Sequence, residues 1–265
     1  MANPEHRQPH PCPHTTAAPL TDTDNSWCEP AQGPPVAGHD NMGKVLDYFD
    51  AVHGRNGYNG SGGNIKMGFD ASFADDDSVA VQWNASSIGN GRFKFGNGQV
   101  GLPPFTPLDI VGHEFTHAML HEEGITTESI QGAAVHEHLS DVFGTFVEFD
   151  FGNTIGDRNF RMGEETTTAL SGEVRDLQFP PADRDHMLDF VNAAKNQHRN
   201  SQIPSLAFSL MVNGGSHPET GVTLTPAALC TDDDICTMTL TQARSIYFDA
   251  ITVFLSPGPP SFLEL

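Results

Sequence analysis

The sequence predicts an α+β fold in two lobes, a β-rich first part and a mainly α-helical second part. Three observations carry this prediction. Between Asn64 and Phe95, short strand-like runs alternate with Gly and Asn turns. From Thr106 onward, apolar residues recur at helical spacing over long stretches. Before Val36 the chain is proline-rich and nearly devoid of large apolar side chains, so it adds to neither core.

Residues 1–36 read as a disordered Pro/His-rich tail, since 8 of the 19 prolines fall in the first 35 positions. His6, His10, Cys12 and His14 are metal-capable, but Pro9, Pro11 and Pro13 forbid a helical arrangement of them. No cationic start leads into an apolar run, so no signal peptide is expected in this chain. Either the tail replaces part of a precursor or the sequence is a fragment of one. A helix is expected over Met42–His53, with apolar residues at 42, 45, 46, 48, 49 and 52 and a stop at Gly54. Arg55–Gly63 reads as a loop, followed by strands at Asn64–Phe69, Val79–Trp83 and Arg92–Phe95. Helices are expected over 107–123, 132–149, 183–195, 201–213 and 239–255. The N-terminal lobe is drawn as 37–123, ending in the first of these helices, and the helical lobe as 124–265.

Thirteen cationic residues face 34 acidic ones, a formal net charge of −21. Such a balance argues against nucleic acid or an anionic membrane surface as partner. No run of about 18 apolar residues marks a membrane span. The dispersed acidic excess fits a secreted or salt-tolerant surface. Four cysteines, Cys12, Cys28, Cys230 and Cys236, are too few for a disulfide scaffold but close enough for two local bridges in an oxidising compartment. Asp232–Asp234, flanked by Cys230 and Cys236, reads as a disulfide-closed acidic turn rather than a metal site.

The chemistry concentrates on the helix over 107–123. Thr106 caps it, Pro107 fits its first position, Asp109 complements its dipole, and Gly124 closes it. Val111, Phe115 and Met119 form the buried stripe; His113, Glu114 and His117 lie on another face. Histidines four apart on a helix present two imidazoles to one ion, and the glutamate beside the first reaches a metal-bound water. Zinc needs a third protein ligand and a vacant position for catalysis. His121, Glu122, Glu123, Glu128, His136, Glu137 and His138 are the downstream candidates. If the next helix packs antiparallel, Glu137 completes the site, and Asp141, four residues on, accepts from the non-ligating nitrogen of a zinc histidine. The same packing carries Asp109 toward Glu148, two acids that suit a hard cation such as calcium.

His113 and His117, then 19 intervening residues, then Glu137 within Glu-His-Leu-Ser-Asp-Val-Phe-Gly, resemble the thermolysin-like zinc metallopeptidase family (gluzincins, neutral metalloproteinases). The likeness extends from about Gly38 to Ser261 and includes His198-Arg199-Asn200-Ser201, followed by an apolar helix ending at Gly214-Gly215. It implies a two-lobed peptidase fold with zinc between the lobes, held by His113, His117 and Glu137, and Glu114 as general base. His198 matches the family histidine that donates to the developing oxyanion. Arg175, in Gly-Glu-Val-Arg-Asp, matches the arginine that grips the substrate carbonyl; a surface salt bridge is the alternative. Asn84-Ala85 resembles the edge-strand pair that bonds the substrate backbone. Asn159, the carbonyl of Arg161, and Glu164 would join Asp109 and Glu148 around calcium. The implied activity is cleavage of internal peptide bonds of polypeptides before apolar residues, with Ile110 and Val174 at pocket positions, by a secreted monomer.

Four departures qualify the likeness. The family tyrosine about ten residues before the glutamate ligand is replaced by Thr127 or Glu128. The aspartate five residues before the proton-donating histidine is Ala193, with Asp189 the candidate substitute. His136 stands where the family has asparagine, and the family's N-terminal β-rich portion is largely absent. The alternative reading is therefore a truncated, non-catalytic, zinc-stabilised binding or adhesion module of the same fold.

Overall fold

Among the described residues the first regular element is helix α1 (Gly33–His53), which begins nine residues before the first apolar repeat. The expected start at Met42 and a tail reaching residue 36 are corrected accordingly. Pro34 and Pro35 fall in its first turn, where no amide partner is needed, so prolines that look like breakers open the helix. The computed structural model describes residues 33–69, 73–74, 80–81, 84–96, 105–151, 159–164, 175–226, 229, 231 and 236–265. The tail's metal-capable residues, Cys28, Val174, Cys230 and Asp232–Asp234 lie outside these; Cys236 is disulfide-bonded.

Contacts divide the chain into two compact units, and two helices contribute to both: α2 (Leu108–Glu122) and α3 (Ile130–Phe151). The first unit holds α1, the first three turns of α2 and the C-terminal part of α3 from Phe143. Its sheet has the order β1-β5-β4, where β1 is Lys66–Gly68, β4 Ala85–Ser87 and β5 Arg92–Phe95. Strand β1 runs parallel to β5, and β4 runs antiparallel to it with Ala85 opposite Phe95 and Ser87 opposite Phe93. A two-stranded ribbon pairs β2 (Phe73–Ala74) with β3 (Ala80–Val81), all that is described of the expected strand Val79–Trp83. Phe49 anchors the core, with ring centroids 4.9 Å from Phe115 of α2 and 5.5 Å from Phe143 of α3. At Gly112 the two helices nearly touch. A Cβ there would stand 3.1 Å from the Gly144 Cα, tighter than most side chains tolerate.

The second unit holds the end of α2, the N-terminal part of α3, and the chain from Arg175. Gly124 adopts φ +77° to end α2, and its backbone pairs with that of Gly258. Ribbon β6 (Arg161–Met162) with β7 (Arg175–Asp176), helices α4 (Gln197–Asn200) and α5 (Gln202–Asn213), ribbon β8 (Gly215–Ser216) with β9 (Thr223–Leu224), and helix α6 (Leu240–Asp249) follow. A π turn, Ala250–Phe254, extends α6 over the expected range. Phe208 packs edge-on to Phe160 and Tyr247. His138 is buried against Tyr247 and bonds Ser205 Oγ at 2.9 Å; burial pushes its pKa down to about 4, opposed by the charge of Asp141.

The helix expected over 183–195 does not form. Only a single 3-10 turn, Met187–Asp189, is regular there. Its cap is reciprocal: His186 Nδ1 accepts from the Leu188 amide, and the His186 amide donates to Asp189 Oδ2. Beyond it, Asn200 bonds Val191 in both directions, accepting its amide at 3.0 Å and donating to its carbonyl at 2.9 Å. That side chain occupies both backbone polar groups of Val191, which a helix would pair along its own axis. Among the described residues no helix is long and apolar enough to cross a membrane.

Candidate metal centre

In α2 the sequence places a stiff apolar stripe of Val111, Phe115 and Met119 into the first unit's core, all fully buried. That anchoring turns the adjacent face, with His113, Glu114 and His117, in a fixed direction. The two imidazole centroids are 4.5 Å apart and perpendicular, one helical turn from each other. His113 and Glu114 are 4% and 6% exposed. Glu114 Oε2 accepts a 2.6 Å bond from the backbone amide of Ser87. Ser87 ends β4, the edge strand, so its amide points away from the sheet and toward α2. Sequence reading missed this anchor because a main-chain donor carries no residue signature.

Ala85 opens the same edge strand, and Asn84 directly precedes it. Asn84 Oδ1 accepts from the Ala85 amide at 2.9 Å, so that amide is already engaged. Ile110, one of the two expected pocket residues, is buried in α2.

The first unit also gathers Asp109, Glu148 and Glu164, with one oxygen of each within 4.8 Å of the others. Asp109 Oδ1 accepts from the Ile110 amide at 2.7 Å, and its Oδ2 accepts from the Gly163 amide. Asp109 and Glu148 are 2% and 3% exposed. Three carboxylates this close and this buried repel unless a cation or protons intervene. Asn159 and Arg161 fall in the second unit, where the Arg161 amide donates to Asn159 Oδ1 at 2.6 Å.

In the second unit, Glu137 and His198 meet, Oε2 to Nδ1 at 3.0 Å. The His198 side chain is half exposed. Asp189, the candidate substitute for the missing aspartate, accepts from the His186 amide, and the charged group that His198 approaches is Glu137. Asp141 and Arg175 form a bidentate pair, Nε to Oδ2 at 2.7 Å and an Nη to Oδ1 at 2.5 Å. Asp141 is fully buried and Arg175 nearly so, which removes the surface-salt-bridge alternative. A pocket of about 440 Å³ opens beside Glu137, walled by Thr127–Ile130, Ala133 and Ala193–Gln197. Thr127 and Glu128, at the place of the expected tyrosine, thus line a cavity but offer no phenol.

Comparison with known proteins accords with this geometry. The family model described as "Thermolysin metallopeptidase, catalytic domain" matches residues 2–121, and that described as "Thermolysin metallopeptidase, alpha-helical domain" matches 128–260. A bacillolysin of Brevibacillus brevis is 31% identical over 245 residues, covering 90% of this chain and 41% of that protein. A thermolysin of Bacillus sp. (strain EA1) is 32% identical over 216 residues, covering 76% of this chain and 37% of the other. The chain therefore spans about two fifths of the length of the curated relatives it matches. A solved structure, a precursor of protealysin, a metalloproteinase from Serratia proteamaculans, superposes with a TM-score of 0.69 at 19% identity. That likeness covers 97% of this chain and 76% of the other, and shows a shared fold.

Proposed function

The chain belongs to the thermolysin metallopeptidase family, and on that premise we propose that it is a zinc-dependent metalloendopeptidase. The observation that carries the reading is the His113–Glu114–His117 face of α2: two imidazoles 4.5 Å apart, with a carboxylate between them in sequence held by a strand amide. Two nitrogen donors and the carboxylate of Glu137 are a donor set that suits zinc and leaves a position open. Zinc held by these residues would acidify a water and polarise the scissile carbonyl.

The remaining steps belong to the chain. Glu114, steadied by Ser87, takes the proton of the attacking water and returns it to the leaving amine. Its main-chain anchor keeps one oxygen engaged, so the carboxylate does not swing away between the two transfers. His198 donates from Nε2 to the oxyanion while its Nδ1 faces Glu137. Asp141 and Arg175 hold each other within the second unit, so Arg175 presents its remaining donors to the substrate in one orientation. With the Ala85 and Ser87 amides already engaged, an extended peptide aligned along the outer edge of β4 at Asn84 and Ala85 would bond its main-chain carbonyls, an apolar side chain entering beside Ile110. Asp109, Glu148 and Glu164 would hold calcium, and the family resemblance would add Asn159 and the Arg161 carbonyl as oxygen donors. The acidic surface and the disulfide at Cys236 support a secreted setting.

One pair of variants tests this reading against a zinc-stabilised binding module. Glu114→Gln should keep zinc and fold but lose peptide hydrolysis by several orders of magnitude. Glu137→Ala should lose zinc first and activity as a consequence. Quenched-peptide hydrolysis, with zinc measured on the same samples, separates the two. Full peptidase activity in Glu114→Gln would sink the catalytic reading.

A further inference from the structure

A second acidic cluster lies in the second unit. Asp185, Asp189 and Glu219 each place a carboxylate oxygen within 4.8 Å of the others. Asp185 sets it apart from ordinary surface acids. It is 3% exposed, and its Oδ1 is buried with no hydrogen-bond partner among the described residues. A buried carboxylate oxygen without a donor is costly, and native structures rarely keep one without use.

The neighbouring groups do not supply the missing positive charge. His217 Nδ1 accepts from the amides of Glu219 and Thr220 at 3.2 and 3.4 Å, and its Nε2 meets the Asp185 carbonyl at 2.9 Å. The ring is therefore the neutral Nε2–H tautomer, committed at both ends. His186 Nδ1 accepts from the Leu188 amide, so it too has no proton for Glu219, whose Oε2 stands 3.9 Å away. The guanidinium of Arg199 is engaged by Asp183 and reaches only the backbone carbonyl of Asp189. Among the described residues, three carboxylates thus converge with no cationic side chain hydrogen-bonded to them. The frame holding them is built: the 3-10 turn with its reciprocal cap fixes Asp189, and the turn between β8 and β9 fixes Glu219.

We propose that Asp185, Asp189 and Glu219 bind calcium. The donors are all oxygen, which favours a hard divalent ion, and the half-open setting leaves room for the waters calcium retains. Bound there, the ion ties the irregular segment that precedes His198 to the β8–β9 turn. Calcium binding should therefore order the stretch from Asp185 to Val191, which leads into the pocket wall at Ala193–Gln197.

The test uses the full chain with zinc in place and calcium chloride as the probe, titrated by calorimetry after treatment with a calcium-selective chelator. Asp185→Asn and, separately, Glu219→Gln should each lose one calcium equivalent or weaken it by at least about tenfold. Glu219 is exposed, so its amide variant folds whatever becomes of Asp185→Asn. Hydrogen exchange should show calcium slowing Asp185–Val191 in the wild type and not in Glu219→Gln. Equal stoichiometry and equal protection in the wild type and Glu219→Gln would overturn the site. Loss of a zinc or manganese equivalent, with calcium uptake unchanged, would overturn the choice of ion.

Discussion

Replacing Arg175 with Met removes one half of a buried ion pair and leaves the other behind. Asp141 has no exposed surface and takes the Arg175 guanidinium in two bonds of 2.5 and 2.7 Å. Each charge-assisted bond contributes about 1.5–3 kcal/mol, and a carboxylate stripped of its partner in this setting costs about 3–5 kcal/mol. For a chain of this size that corresponds to a fall in Tm of roughly 6–20 °C. The measurement is urea denaturation with zinc and calcium present, in a Glu114→Gln background so that autolysis does not distort the curves. Arg175→Met should shift the midpoint sharply without changing the slope. Adding Asp141→Asn should recover part of the loss, because the stranded charge is then gone, leaving a coupling of about 1–3 kcal/mol. An unchanged midpoint in Arg175→Met would refute the reasoning and confine the arginine to substrate contact.

His198→Ala should lower kcat by about 10²–10³-fold with little change in KM, because its bond strengthens only as the oxyanion forms; steady-state kinetics with peptide decides, and a pure KM effect would demote it to ground-state binding. Glu148→Gln should remove the calcium-dependent part of the thermal stability and hasten autolysis; identical melting curves with and without calcium would leave only solvated acids. Burial raises the pKa of the Tyr247 hydroxyl above its ordinary value of about 10. The unfolded chain therefore ionises first, and stability present below pH 10 is lost above it. Relative to Tyr247→Phe, the wild type should lose about 1.4 kcal/mol per pH unit there; parallel pH profiles would show that the hydroxyl is not desolvated.

What the sequence made legible was whatever depends on short range. Helical spacing gave α2 and α3 to within two residues, and β5 with its exact limits, because apolar period and turn residues act locally. The shared face of His113, Glu114 and His117 follows from helix geometry alone. Long-range hydrogen bonds hid the rest. Nothing near Val191 announces that Asn200 will take its amide and carbonyl, and residues 183–195 carried a helical pattern but form only one 3-10 turn. Ser87 was invisible because its contribution is an amide every non-proline residue owns. Asp185 and Glu219 are 34 positions apart in sequence, and only the folded chain brings their carboxylates together.

The near-contact of Gly112 with Gly144 bears on how such a protein can change over generations. Two helices that approach this closely form a joint whose parts do not vary separately: a side chain at 112 presses on the Gly144 backbone and on Val147, and the residue next to 112 is His113. Heritable novelty is therefore barred at the joint and admitted at the pocket wall. There, loop residues such as Thr127 and Ala193 can be exchanged without shifting either helix. A library that randomises the wall and leaves both glycines untouched would sample new substrate preferences while keeping its members folded.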